Sequence, residues 1–261
     1  MISFMLNKET TDGRDYSQDI RWLLEEKYHG QISEAFQAEV GRIKQGEPVA
    51  YVIGYVDFLG CKIDLSQKTL IPRAETEFWV EQVIRNISKE TSTSAKCLDM
   101  FAGSGCVGVA VLKNIPSSTM DFVDYDARAI TQIAINCKLN GIAASRWRII
   151  KSDRFEHVND SYDYIFANPP YIAKNRRSKV AESVLVYEPH MALWGAADGL
   201  LYIKTFLDKV KGYLNEGGKV YMEFDTHQKK EIEKNLMNKG FNKIGFFRDQ
   251  FGKWRYLVLV T

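Results

Sequence analysis

Lys96-Cys97-Leu98-Asp99-Met100-Phe101-Ala102-Gly103-Ser104-Gly105-Cys106-Val107-Gly108 is the stretch that decides the fold. Residues 96–101 read as a strand, glycines crowd the turn, and an apolar-periodic helix follows over 106–114. Glycine at such a turn lets a ligand approach the backbone closely. Downstream the alternation continues. Met120–Asp124, Trp147–Ile150, Tyr162–Ala167 and Lys219–Phe224 read as strands, with helices over 127–139, 200–214 and 227–238. Alternating strands and helices require a mostly parallel sheet covered on both faces. Two closing strands near 242–248 and 254–260 have no helix between them, so they should pair antiparallel around Gly252. The expected class is α/β: a doubly wound, mostly parallel, seven-stranded sheet with a C-terminal antiparallel hairpin.

Upstream, Pro72 precedes a helix whose Val80, Val83, Ile84 and Ile87 recur at helical spacing. Residues 74–261 are therefore expected to form the main domain. Residues 46–73 change character: Gly46, Pro48, Gly54 and Gly60 punctuate Tyr51-Val52-Ile53 and Cys61-Lys62-Ile63, a pattern that predicts a hairpin linker. Residues 1–45 read as a small helical domain. Ser17 is placed to cap a helix carrying Ile20, Leu23 and Leu24, and Ser33 a second with Phe36, Val40 and Ile43 on one face. This segment carries six Lys+Arg and eight Asp+Glu, a net −2, leaving +4 of the total +2 on the remainder.

Composition excludes whole classes. Of 261 residues, 45% are hydrophobic and 26% charged, a globular balance that rules out disordered and fibrous chains. The +2 balance supplies no basic field strong enough to drive nucleic-acid binding alone. Cys61, Cys97, Cys106 and Cys137 form no C-x-x-C, and His29, His157, His190 and His227 are scattered, so no metal site is expected. Free thiols in a reducing compartment fit better. No 18-residue apolar run and no signal-peptide pattern occur, so a cytoplasmic protein with no membrane partner is expected, and a monomer.

The chemistry begins in the glycine turn. Gly103-x-Gly105-x-x-Gly108 matches the dinucleotide fingerprint, and Asp124 ends the next strand, where a carboxylate can accept both ribose hydroxyls. That pattern fits a nicotinamide dinucleotide or an adenosyl cofactor about equally. Asp99 begins to separate them. An acid just before the loop repels pyrophosphate but suits a cationic amino acid moiety. S-adenosylmethionine has no phosphate and carries a sulfonium and an ammonium.

Asn168-Pro169-Pro170-Tyr171 follows the strand Tyr162–Ala167 directly. A planar amide or exocyclic amine is a poor nucleophile because its lone pair is delocalised. The Asn168 side-chain oxygen and the Pro169 carbonyl are placed to accept its two N–H bonds. That pulls the nitrogen toward pyramidal geometry and aims the lone pair at a methyl group. Two prolines stiffen the loop and lower the entropy of holding that geometry. Tyr171 offers a face to a planar substrate group and to a sulfonium methyl.

Asp99–Gly105 together with Asn168–Tyr171 resembles the class I S-adenosylmethionine-dependent amino-methyltransferases. Gly46-Glu47-Pro48-Val49-Ala50-Tyr51 and Leu70-Ile71-Pro72-Arg73-Ala74-Glu75-Thr76-Glu77 narrow the resemblance to the protein-(glutamine-N5) methyltransferases. Tyr187-Glu188-Pro189, Ala192-Leu193, Asp198-Gly199-Leu200, Glu223, Gln228 and the closing Asp249…Gly252…Arg255 agree with it. The match spans residues 46–261.

The resemblance implies a Rossmann-like methyltransferase using S-adenosylmethionine. It implies cofactor contacts from Asp99, Phe101, Ala102, Gly103, Ser104, Gly105 and Asn168, ribose contact from Asp124, and an adenine side at Ser152, Asp153 and Arg154. It implies that Asn168, Pro169, Pro170 and Tyr171 hold the substrate amide, with Asn168, Pro169 and Tyr171 catalytic. Arg73 and Glu77, at the entry to the domain, are expected to shape the substrate mouth. The implied substrate is the glutamine of a Gly-Gly-Gln loop in peptide-chain release factors, with no stable nucleic-acid partner. Three departures stand out: Phe101 replaces a usual glycine, Arg154 replaces a frequent aromatic, and the segment before Gly46 is short. The alternative is an amino-methyltransferase acting on an adenine or guanine exocyclic amine of RNA or DNA. A nicotinamide oxidoreductase is disfavoured by Asp99 and by Asn168–Tyr171. A non-catalytic binding module would need no clamp on a nucleophile.

Overall fold

The computed structural model describes residues 14–90 and 94–261; residues 1–13 of the expected helical domain lie outside them. Seven strands form one sheet: β3 (Lys96–Met100), β4 (Thr119–Asp124), β5 (Trp147–Lys151), β6 (Tyr162–Ala167), β7 (Leu214–Glu223), β8 (Lys243–Arg248) and β9 (Trp254–Val260). Their spatial order is β5-β4-β3-β6-β7-β9-β8. All neighbours from β5 to β7 pair parallel, while β9 runs antiparallel to both β7 and β8. The closing hairpin pairs as expected, and its second strand inserts between β7 and β8.

Period-two alternation splits each strand between two apolar layers. Cys97, Phe122, Tyr164 and Tyr221 face one layer, under α4 (Ala74–Glu90), α5 (Cys106–Asn114) and α6 (Ala127–Leu139). Leu98, Met100, Ile165 and Met222 face the other, under α8 (Leu201–Lys209) and α9 (Lys229–Leu236). The expected stripe on α4 is buried throughout, joined by Trp79 at 0% exposure. All four cysteines are free and buried; burial pushes the Cys61 thiol up to about 11 and those of Cys106 and Cys137 to about 12. Among the described residues no helix is long and apolar enough to cross a membrane.

Gly108 in α5 lets that helix lie against β4. A Cβ there would stand 2.2 Å from Phe122 Cε1 and 3.0 Å from Asp99 Oδ2. Gly108→Ala is therefore expected to destabilise the fold by about 1–3 kcal/mol or more, the scale of overpacking. Urea denaturation checks it; an unchanged midpoint would mean that the helix shifts without cost.

The linker corrects the sequence reading. Tyr51-Val52-Ile53 lies in a short helix, α3 (Val49–Ile53), rather than a strand. Pro48 starts it, the Tyr51 N–H donates to the Pro48 carbonyl, and Gly54 ends it at φ +100°. β-branched residues suggested a strand, but burial of Tyr51 and Val52 against different neighbours favours the helix. The hairpin strands are β1 (Tyr55–Phe58) and β2 (Cys61–Asp64). Before them, α1 (Ser17–Trp22) runs on through a π turn over Leu23–Lys27, and α2 (Glu34–Lys44) follows. Ser33 caps α2 by accepting from the Phe36 N–H. Ser17 does not cap α1. Tyr16 is the N-cap and supplies no side-chain bond; Ser17 is the first helical residue, and its N–H donates to the Asp15 carboxylate. Both helices share an apolar cluster with Val52, and the Lys27 ammonium donates to the Val52 carbonyl at 2.8 Å.

Candidate active site

β3 sits where the strand order reverses, with β4 on one side and β6 on the other. In open α/β sheets ligands bind at that switch point, beyond the C-terminal strand ends. The glycine turn leaves β3 there and Asn168–Tyr171 leaves β6 there, Met100 pairing with Ala167 at the last register position. Between them lies a cavity of about 390 Å³.

Phe101, Gly103, Asp124, Asp153, Arg154, Asn168 and Pro170 line it. The turn is sharply wound: Phe101, Gly103 and Gly105 have φ of +61°, +56° and +77°. Left-handed backbone at a non-glycine residue costs about 1–2 kcal/mol, and Phe101 carries that strain where glycine would not. Its ring packs edge-on to Tyr202 and tilted against Phe206, which fixes it at the cavity wall. Ala102, Ser104 and Gly105 lie in the turn without lining the cavity; the Ser104 carbonyl accepts from the Asn136 amide.

Asp124 organises this turn. Its Oδ2 accepts from the Gly103 N–H at 2.8 Å and its Oδ1 from the Asp126 N–H at 2.9 Å. Each carboxylate oxygen keeps a further lone pair for a hydroxyl donor. Burial is the main cause that raises its carboxyl above the usual range. Asp99 is 2% exposed, beneath the turn rather than in the cavity wall, and accepts from the Gly108 N–H. Burial pushes its carboxyl up to about 8. A cation arriving nearby would draw that value back down.

On the far side, Arg154 is held at φ +54° by its ion pair with Asp153 and a hydrogen bond to Thr205, with its guanidinium 5.9 Å from the Tyr202 ring. Tyr202, at the start of α8, supplies an aromatic face beside Arg154. Thr69 was also missed from sequence: its Oγ1 is buried at the cavity without a partner among the described residues, while its carbonyl accepts from Tyr51. An orphaned hydroxyl in a cavity wall invites a ligand's polar atom. Tyr125, Met191 and Leu201 line the same cavity yet stay 62%, 50% and 47% exposed, an apolar rim.

The loop after β6 is braced from behind. Gln228 Nε2 donates to the Tyr171 and Gly199 carbonyls, both at 2.9 Å. A Cβ on Gly195 would stand 2.6 Å from the Pro170 carbonyl oxygen, so glycine permits that close approach. Tyr171 turns away from the cavity and donates its hydroxyl to Glu223 at 2.9 Å. Glu223, 1% exposed at the end of β7, also accepts from Thr76 Oγ1 and Trp79 Nε1. Among the described residues, nothing donates to the Pro169 carbonyl or to Asn168 Oδ1. Both acceptors remain open to a ligand.

Arg73 and Glu77 stand outside the cavity lining. Glu77 accepts from the Leu59 N–H and ties the hairpin turn to α4. Arg73 pairs with Glu188 at 2.7 Å, and Glu188 accepts from the Ile71 N–H at 3.1 Å. Glu188 precedes Pro189, which does line the cavity, so this pair joins two of its walls. Arg73→Ala is expected to slow turnover and cost about 1.5–3 kcal/mol at most, since Arg73 is 34% exposed. Activity and melting temperature measured together decide: wild-type turnover with a lowered melting point would assign the pair to stability alone.

Comparison with known proteins agrees with this geometry. Residues 76–204 match the family model described as Methyltransferase small domain. The release factor glutamine methyltransferase of Lactococcus lactis is 30% identical over 236 residues, covering 90% of this chain and 85% of the relative. That of Streptococcus pneumoniae is 32% identical over 217 residues, covering 82% and 75%. Among solved structures, the METTL16 catalytic domain in complex with a MAT2A 3′UTR hairpin superposes with a TM-score of 0.61 at 14% identity, covering 98% of this chain and 96% of that one. The Thermus thermophilus 16S rRNA N2 G1207 methyltransferase, in complex with AdoMet and guanosine, gives 0.55 at 14% identity, covering 79% and 49%. At these identities the structural likenesses speak for the fold.

Proposed function

Because the chain belongs to the release factor glutamine methyltransferase family and is an S-adenosylmethionine-dependent methyltransferase, we propose that it methylates the side-chain amide nitrogen of the glutamine in a release factor's Gly-Gly-Gln motif. The observation that carries this reading is Asn168, which lines the cavity with nothing among the described residues donating to its Oδ1, followed by the Pro169 carbonyl, likewise without a donor among them. The residues fit that cofactor. Asp124 keeps lone pairs for ribose hydroxyls, Arg154 and Tyr202 offer flat faces to adenine, and the orphaned Thr69 hydroxyl awaits a polar partner. When bound, S-adenosylmethionine supplies a methyl group on a sulfonium sulfur, open to in-line displacement by the amide nitrogen.

The chain's own residues prepare that nitrogen. Asn168 and Pro169 accept its two N–H bonds and hold its lone pair out of conjugation. The braced loop keeps them in place, and the rim of Tyr125, Met191 and Leu201 excludes water once a peptide covers it. Alignment of this kind supplies roughly 7–11 kcal/mol. No general base is needed beforehand, because the nitrogen becomes acidic only as the new bond forms; water takes the proton afterwards.

Labelled S-adenosylmethionine, incubated with this protein and purified release factors beside RNA and DNA, tests the reading. Label in the release factor is expected. Label confined to RNA or DNA would replace the glutamine amide with a base amine at the same acceptors.

A further inference from the structure

Asn168 is useful to a substrate amide in only one of its two flips: the oxygen must face the cavity and the N–H₂ must face inward. Rotation by half a turn exchanges them at almost no steric cost, so something must choose. The choice is made by protons rather than by shape.

Glu223 is the origin. It is 1% exposed, and the Trp79 indole N–H, which can only donate, fixes its Oε2 as an acceptor. Its Oε2 takes the Thr76 hydroxyl proton at 2.7 Å and the Trp79 indole N–H at 2.8 Å, while Oε1 takes the Tyr171 hydroxyl at 2.9 Å. Thr76 has a single proton, and it is spent on Glu223. Toward Asn168, 3.5 Å away, Thr76 Oγ1 has only lone pairs to offer. A reversed amide would set Asn168 Oδ1 against those lone pairs. The inward position therefore takes the N–H₂ group, and the oxygen turns to the cavity. Thr76 is 1% exposed, so no solvent proton relieves the constraint.

We propose that Thr76 and Glu223 are positioning residues for methyl transfer: a proton relay of fixed direction from α4 to the end of β7 sets the flip of the Asn168 amide. The proposal rests on the reading of Asn168 as the clamp on the acceptor nitrogen. It assigns a purpose to a tyrosine, a tryptophan and a threonine that converge on one carboxylate without touching substrate.

Thr76→Val, near-isosteric, removes the acceptor. Glu223→Leu removes the acceptor of the Thr76 proton, which is then free to turn to Asn168 and favours the reversed amide. Both are expected to bind S-adenosylmethionine with wild-type affinity by calorimetry. Both are expected to lose about tenfold or more in single-turnover methylation, with the loss in the rate rather than in substrate affinity. Thr76→Ser keeps the relay and is expected to return to within about threefold of wild type. A wild-type rate in Thr76→Val overturns the proposal. So does a parallel fall of melting temperature, cofactor binding and rate in all three variants, which is the mark of a packing role. If the wild-type protein labels a base amine instead of a release factor, the rates are measured on that acceptor. The relay then stands or falls separately from the identity of the substrate.

Discussion

Asn168→Ala is expected to lose methyl transfer at least about a hundredfold while still folding and binding cofactor, the scale of losing one oriented polar group at a reacting centre. Truncation removes Oδ1, the open acceptor at the cavity mouth, and leaves one N–H of the incoming amide unpaired in a desolvated site. That unpaired donor costs roughly 1–3 kcal/mol, and the freedom of the amide to rotate adds to the barrier. Among the described residues the Asn168 side chain makes one polar contact, 3.5 Å to Thr76, so little of the fold's hydrogen bonding depends on it. Asn168→Asp is the sharper probe. It keeps the shape but replaces the inward N–H₂ with an oxygen that faces the Thr76 lone pairs, and it is expected to be as slow as alanine. Single-turnover methylation, with calorimetry for the cofactor, separates this from a fold-only role, in which binding and melting temperature fall together.

Asp124→Ala is expected to weaken S-adenosylmethionine binding by about a hundredfold or more. Two charge-assisted hydrogen bonds to ribose are lost, each worth roughly 1.5–3 kcal/mol. A second loss comes from within: the Gly103 N–H and the Asp126 N–H lose their acceptor, so the left-handed turn at Gly103 is no longer fixed. Asp124→Asn keeps one acceptor oxygen but presents N–H₂ to one of two backbone donors, and should fall between alanine and wild type. Calorimetry with S-adenosylmethionine measures both, and unchanged affinity in Asp124→Ala would contradict the role. NADH is expected to show no comparable binding.

Most strands and helices from β3 onward were legible because one physical rule covers them; the short helix α7 (Glu182–Tyr187), with no buried residue, left no period to read. Parallel strands buried on both faces leave long apolar runs, and the covering helices leave a 3.6-residue period. Helix α5 over Cys106–Asn114 and helix α6 over Ala127–Leu139 end where the pattern ends. The linker was harder. Tyr51-Val52-Ile53 carries strand formers, and only the tertiary position of Tyr51 under the main core, with Val52 under the N-terminal helices, makes it helical. Ser17 against Tyr16 as the first cap differs by one residue, within the slack of any helix start.

In the site, the sequence reading put Phe101, Gly103, Asn168 and Pro170 where the structure has them lining the cavity, because backbone conformation and chemistry coincide there, whereas Ala102, Ser104, Gly105 and Tyr171 do not line it. Asp99 was legible as an acid at the end of β3, but its burial beneath Gly108 follows from how closely α5 packs. Tyr202 and Thr69 were not visible as cavity-forming parts, and Arg73, expected at the substrate mouth, gave no sign of its partner Glu188, since each depends on a distant loop folding over the strand ends. Glu223 shows the limit most clearly. It matched a sequence pattern, yet its meaning lies in a bond to Thr76 across 147 positions of chain, where no local period or spacing reaches.

The central claim is that the open acceptors at Asn168 and Pro169 serve a glutamine side-chain amide. Fragment-mass mapping of a release factor after incubation with this protein and S-adenosylmethionine tests it most directly. One methyl group on the side-chain nitrogen of the Gly-Gly-Gln glutamine, absent when Asn168→Ala replaces the wild type, is the predicted result. A methyl group on any other residue, or an unmodified release factor beside a methylated nucleic acid, would contradict it.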